Sequence, residues 1–231
     1  MDQWWDRATA ITPAPDQRGT LLLALVAAAC ILWSPVWRMT RHLVTVVHEG
    51  AHGLVALLVG RRLAGIRLHS DSSGLTVSKG RPTGVGMVLT LLAGYVGPAV
   101  LGVLLSTGVH SGHAVGTLWL LLVALALLLL QIRNLYGLCV VLVSGVGLFA
   151  VTWWLDPTAQ TAIAQTIGWF LLLAGPWSLI DLQRSRHAGV APQSDPDQLA
   201  RITGVPGLIW WSLMFLSSLG CLAGGARLLL G

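Results

Sequence analysis

Charge is scarce in this chain. Of 231 residues only 10% are Asp, Glu, Lys or Arg, against about 25% in an ordinary soluble domain. That shortage excludes a water-exposed globule. The 55% hydrophobic content and mean hydropathy of +0.74 point instead to a surface that faces lipid. Acids are the rarer sign, nine against fourteen bases. Most of the +5 excess falls in short connections between apolar runs. It is therefore a topology signal rather than affinity for nucleic acid, and no nucleic-acid partner is expected. Cysteine is nearly absent. Cys30, Cys139 and Cys221 each sit in an apolar run with no second cysteine nearby, which excludes a disulfide framework and a thiolate metal site. Ala27-Ala28-Ala29-Cys30 has the look of a processing site, but the apolar run continues through Trp37, so an uncleaved first span is expected. No repeat period and no separate soluble domain are visible. Tryptophan, by contrast, is plentiful. Trp4, Trp5, Trp33, Trp37, Trp153, Trp154, Trp210 and Trp211 fall near segment ends, as an interfacial belt would.

The apolar runs predict an all-α polytopic membrane protein, a single integral membrane domain over 1–231. It has about seven transmembrane helices and a short β-hairpin after the second. A polar tail covers 1–19. Spans are expected at 21–37, 42–60, 84–108, 115–131, 135–154, 160–182 and 206–229, with Arg38, Arg41 and His42 as a tight turn between the first two. Residues 61–82, RRLAGIRLHSDSSGLTVSKGRP, alternate in two pieces around Asp71-Ser72-Ser73-Gly74, a hairpin signal. The segment is either a solvated loop or a membrane-associated hairpin that offers a strand edge to an extended peptide. In the third span, Gly94 and Gly97 of Gly94-Tyr95-Val96-Gly97-Pro98 allow another helix to approach closely. Residues 183–204 form a charged loop in which Ser194-Asp195-Pro196-Asp197 reads as a helix start, capped by Asp195 or Ser194. Seven spans put the termini on opposite sides. Arg7, Arg18, Arg61, Arg62, Arg67, Lys79, Arg81, Arg133, Arg184, Arg186 and Arg201 then share one face, against Arg38, Arg41 and Arg227. This bias predicts a plasma-membrane protein with the N-terminus, hairpin and 183–204 loop cytoplasmic and the C-terminus outside.

Within the second span stands His48-Glu49-Gly50-Ala51-His52. On a helix, residues four apart project from one face, so the two histidines can grip one metal ion, and Glu49 can take a proton from a metal-activated water. Each of these groups resists burial in lipid unless something binds it. A catalytic zinc takes three protein ligands, so one more is required. Asp181 is the one acid inside an apolar run, and it is the expected third ligand; its competing role is an interfacial carboxylate paired with Arg184. Asn134 is the alternative, as ligand or as a holder of substrate backbone. His110 and His113, three apart, are read as loop residues.

These stretches resemble the peptidase M50 group, the site-2-protease-type intramembrane zinc metalloproteases, and most closely its M50B-like branch. The resemblance is carried by VVHEGAHGLVALLVGRRL, LHSDSSGLTVSKG, AGYVGPAVLG, RNLYG and SDPDQLARITGVP, in that order. It implies Zn2+ on His48 and His52 with Glu49 as general base. It also implies hydrolysis of peptide bonds in transmembrane or membrane-associated protein substrates, with membrane lipid as the other partner. In the wider group the third ligand comes from an aspartate of an L-D-G motif; at the comparable break this chain has Asn134-Leu135-Tyr136-Gly137. The alternative function is a non-catalytic membrane scaffold or regulator on the same fold. A transporter fits less well, with no inverted repeat and few charges to line a pathway.

Overall fold

The computed structural model describes residues 9, 11–189 and 193–231. Asp2, Trp4, Trp5, Asp6 and Arg7, with most of the polar tail and residues 190–192 of the charged loop, lie outside the described residues. The elements run α1 (Gln17–Leu32), α2 (Ser34–Leu58), β1 (Arg62–Leu68), β2 (Gly74–Lys79), α3 (Val85–His110), α4 (Ala114–Leu129), α5 (Leu135–Trp154), α6 (Pro157–His187), α7 (Asp195–Thr203) and α8 (Gly207–Leu230).

Proline decides the first departure from expectation. Pro35 sits in the first turn of α2, where its missing N–H costs nothing. Trp33 before it is extended, and the axes of α1 and α2 bend by 99°. The expected turn at Arg38, Arg41 and His42 does not form. These residues lie inside α2, and Arg41 Nη2 reaches the Asp71 carbonyl at 3.0 Å. The helix that carries the histidines therefore begins at Ser34 rather than at residue 42, because a proline breaks a helix more surely than two arginines and a histidine do.

This changes the topology. Among the described residues, α3, α5, α6 and α8 are long and apolar enough to cross a membrane. The bent α1–α2 pair makes a fifth span if counted as one. α4, at 16 residues, is shorter than the ~20 needed for a hydrocarbon core. Seven spans are thus not reached. The N-terminal segment also changes ends. Thr12 N–H donates to Gly112 O at 2.9 Å, Thr12 and Thr161 share a hydroxyl hydrogen bond at 2.8 Å, and His110 Nδ1 donates to Leu228 O at 2.9 Å. Residues 12, 112, 161 and 228 therefore gather at one end of the bundle, with the hairpin at the other end of the 26-residue α3. The expectation that the two ends of the chain lie on opposite sides is corrected accordingly for Thr12 onward.

The core is organised on α6, which packs against α3, α1 and α8. Close approach depends on glycine. A Cβ on Gly102 would lie 2.8 Å from Leu172 Cγ and 3.0 Å from its backbone nitrogen, and one on Gly175 3.0 Å from Ala99 Cβ. Leu172 itself is fully buried. A second cluster of Val46, Ile66, Leu68, Ile132 and Val141 seats the hairpin between α2 and α5. A third, of Leu91, Leu179, Leu182, Leu199 and Met214, docks the short α7 through Leu199.

The hairpin forms where expected. β1 and β2 are antiparallel, with Leu68 opposite Gly74 and Ile66 opposite Thr76. The turn places Ser72 at φ 66°, with Ser72 N–H on His69 O. Asp71 Oδ1 accepts from both the N–H and the hydroxyl of Ser73. The outer edge of β1 is covered at Ile66. Ile66 N–H donates to Gln131 O, and Arg133 N–H to Ile66 O, both at 2.8 Å.

Substituting Gly102→Ala should lower thermal stability in detergent by about 1–3 kcal/mol, the usual cost of overpacking. Gly145→Ala, whose Cβ meets nothing within 4 Å, should not lower it; thermal melts of the two variants check this.

Candidate metal centre

α2 presents His48 and His52 on one face, one turn apart. Their rings meet edge to face at 4.6 Å between centroids, with the two Nε2 atoms 3.0 Å apart. Glycine again sets the approach. On α3, a Cβ at Gly94 would overlap both imidazoles, and one at Gly97 would overlap Ala51. Tyr95, between them, lies edge-on to His48 at 4.6 Å. The Gly-Tyr-Val-Gly stretch thus brings α3 onto the helix of the histidines.

The tautomer of His52 follows from its partner. Nδ1 lies 2.6 Å from the Thr90 carbonyl, which can only accept, so Nδ1 carries a proton and the ring turns Nε2 toward His48 and Asp195. A backbone carbonyl behind one ring nitrogen is the usual support for a metal-bound histidine.

The third donor is Asp195. Its Oδ2 lies 3.3 Å from His48 Nε2 and 3.3 Å from His52 Nε2. That oxygen is buried and has no hydrogen-bond partner among the described residues. The three donor atoms form a triangle of 3.0, 3.3 and 3.3 Å. Tetrahedral bonds of about 2.0–2.2 Å place neighbouring donors about 3.3 Å or slightly more apart. Two imidazole nitrogens and a carboxylate oxygen at this spacing are a donor set that a divalent cation fits. His48, His52 and Asp195 can therefore hold a metal ion.

Glu49 projects next to this cluster and is 4% exposed. Its Oε2 accepts from the Thr76 hydroxyl at 2.6 Å, and its backbone carbonyl takes the same hydroxyl at 3.1 Å. Gly74 leaves the space that the carboxylate occupies, since a Cβ there would strike it. β2 thus holds Glu49 from the hairpin side.

Asp181, expected as the third ligand, is engaged elsewhere. Its Oδ2 accepts from Trp37 Nε1 at 2.8 Å, and Oδ1 lies 3.6 Å from Arg184 Nη1. It is a half-exposed carboxylate that ties α2 to α6, and it is not in the donor cluster. Asn134 does not join the cluster either. Its Oδ1 accepts from Leu68 N–H at 3.1 Å, and its Nδ2 donates to Leu68 O at 2.7 Å, so the amide stands in for a strand residue on β1. His113 Nδ1 pairs with the Ser111 hydroxyl. Neither His113 nor His110 belongs to a metal-competent group among the described residues. Sequence reasoning passed over Asp195 as a ligand and read it only as a possible helix cap. Ser194 takes the N-cap position and Asp197 binds the Ser194 hydroxyl. With those two engaged, the Asp195 carboxylate is spare.

Fold and site together define a membrane protein built around a buried His-His-Asp cluster that can hold a metal. The chain belongs to the Peptidase M50B-like family, whose model matches residues 21–225. No curated protein and no solved structure matches it.

Gly94→Ala should reduce the metal bound per purified chain, because the added methyl displaces both imidazoles. Gly50→Ala, inside the same motif but with only an ordinary 3.7 Å contact to Leu128, should retain it. Elemental analysis of both proteins distinguishes the two.

Proposed function

We propose that this protein is a zinc-dependent intramembrane metalloprotease of the plasma membrane that hydrolyses peptide bonds of membrane-embedded protein segments. The observation that carries this reading is the meeting of His48, His52 and Asp195 at 3.0–3.3 Å beside the buried Glu49. Two imidazole nitrogens and one carboxylate are a frequent zinc donor set that leaves a position open. The ion would supply Lewis acidity for the scissile carbonyl and bring the ionisation of a bound water close to neutral pH.

The chain's own residues supply the rest. Thr76 orients Glu49, which accepts the proton of the attacking water and returns it to the leaving amine. Backbone groups alternate in direction along an antiparallel pair. Ile66 and Leu68 turn theirs toward residues 131–134, so Thr76 and Gly74, opposite them, turn theirs to the edge of β2 that has no partner strand among the described residues. An extended peptide added along that edge would pass beside Glu49. This is the strand-addition mode of peptide recognition. Chain direction would be set by the arginine bias. With Arg41 bonded to the hairpin tip, the end that bears the hairpin, Arg133 and α7 carries most of the cations, and it would face the cytoplasm.

Two experiments test this. His48→Ala, His52→Ala and Asp195→Asn should each lose zinc from the purified protein, while Asp181→Asn and Asn134→Ala should keep it. A full complement of zinc in the histidine variants would end the metal reading. Glu49→Gln should keep zinc and slow cleavage of a membrane-embedded reporter by about 10²-fold or more. A cellular phenotype that survives Glu49→Gln would favour a scaffold without turnover.

A further inference from the structure

The ligand Asp195 differs from the two histidines in how it is held. The histidines are fixed on a 25-residue helix. Asp195 opens α7, a nine-residue helix outside the candidate spans, and among the described residues its Oδ2 has no hydrogen bond to orient it. Something else must set the rotation of α7. We infer that the Arg186–Asp197 ion pair is the device that aims Asp195 at the histidines, which makes Arg186 a positioning residue for the metal site.

The geometry runs through both carboxylate oxygens of Asp197. Oδ1 accepts from Arg186 Nη2 at 2.6 Å, and Oδ2 takes the Ser194 hydroxyl. Arg186 is itself fixed on the last turn of α6, where Nη1 donates to Gln183 Oε1 at 2.9 Å. Both partners are largely shielded from water, with side chains 19% and 25% exposed, so the pair is less screened than a surface bridge. Asp195 and Asp197 are two residues apart, about 200° around a helix at 3.6 residues per turn. Drawing Asp197 outward to Arg186 turns Asp195 inward. Leu199, four residues after Asp195 and fully buried among Leu91, Leu179 and Met214, provides docking energy. An apolar contact of that kind leaves rotation loosely defined; a two-atom carboxylate grip defines it. Gly207 completes the fit. A Cβ there would lie 3.0 Å from Arg186 Nη2 and 3.2 Å from Asp197 Oδ1, so the start of α8 closes over the pair.

The inference rests on the zinc reading of the cluster, and the experiment separates the two. Full-length protein in detergent is titrated with zinc against a competing chelator, and melting is followed with and without zinc. Arg186→Met and Asp197→Asn should each weaken zinc affinity about 10–100-fold, the usual effect of losing an outer-shell partner. The double variant should be no worse than either single one, and Arg186→Lys should recover part of the loss. Melting without zinc should stay near that of the unchanged protein, with the loss confined to the zinc-induced rise. Unaltered zinc affinity in Arg186→Met overturns the inference and leaves the metal site standing. So does a double variant whose losses add, or a zinc-free melt that falls as far as the zinc-bound one. No zinc binding by the unchanged protein overturns the metal reading itself.

Discussion

Burial of ionisable groups in an apolar bundle is the constraint from which most of this structure follows. His48, Glu49 and His52 stand in a chain with few other charges, and each would resist transfer from water if left alone. Every one is met by a specific partner. Thr90 supplies a carbonyl to His52, Thr76 a hydroxyl to Glu49, and Asp195 a carboxylate to both histidines. These partners come from three different elements, α3, β2 and α7. The need to satisfy one turn of α2 therefore brings together the central span, the hairpin and the late short helix.

Glycine is what makes those partners reachable. Gly94 and Gly97 bring α3 against the rings and against Ala51, and Gly74 brings β2 against Glu49. A methyl group at any of the three would meet a neighbour closer than van der Waals contact permits. The site is thus built by removing side chains from its neighbours as much as by placing functional ones. The cost is little rotational slack, and that agrees with a donor triangle close to the tetrahedral spacing for a small divalent ion.

Much of this was legible in the sequence. The histidine pair, the base, the hairpin and the glycines of α3 all announce themselves through local spacing, because a helix or a hairpin converts short-range pattern directly into a shared face. Asp195 did not, since it meets the histidines across more than 140 residues of chain, and its burial depends on tertiary docking of Leu199. Asp181 drew attention because it lies in an apolar run; the structure gives it Trp37 and Arg184 instead. The misplacement of the N-terminal segment has one root, at Pro35. Arg38, Arg41 and His42 read as a turn, while Pro35 supplies the real break. Merging two expected crossings into one bent path moves Thr12 to the end of the bundle that holds Gly112 and Leu228.

Asn134 shows what a side-chain amide can do at the rim of a two-stranded sheet. With its oxygen and nitrogen on the backbone of Leu68, and residues 131–133 on Ile66, the sheet is closed on one flank. A hairpin open on both flanks could grow in either direction and join with copies of itself. Among the described residues this one can lengthen by a single strand, on the flank that carries Thr76 and Gly74. Two molecules that meet in the membrane plane therefore lack the pair of open edges from which a continuous intermolecular sheet would propagate.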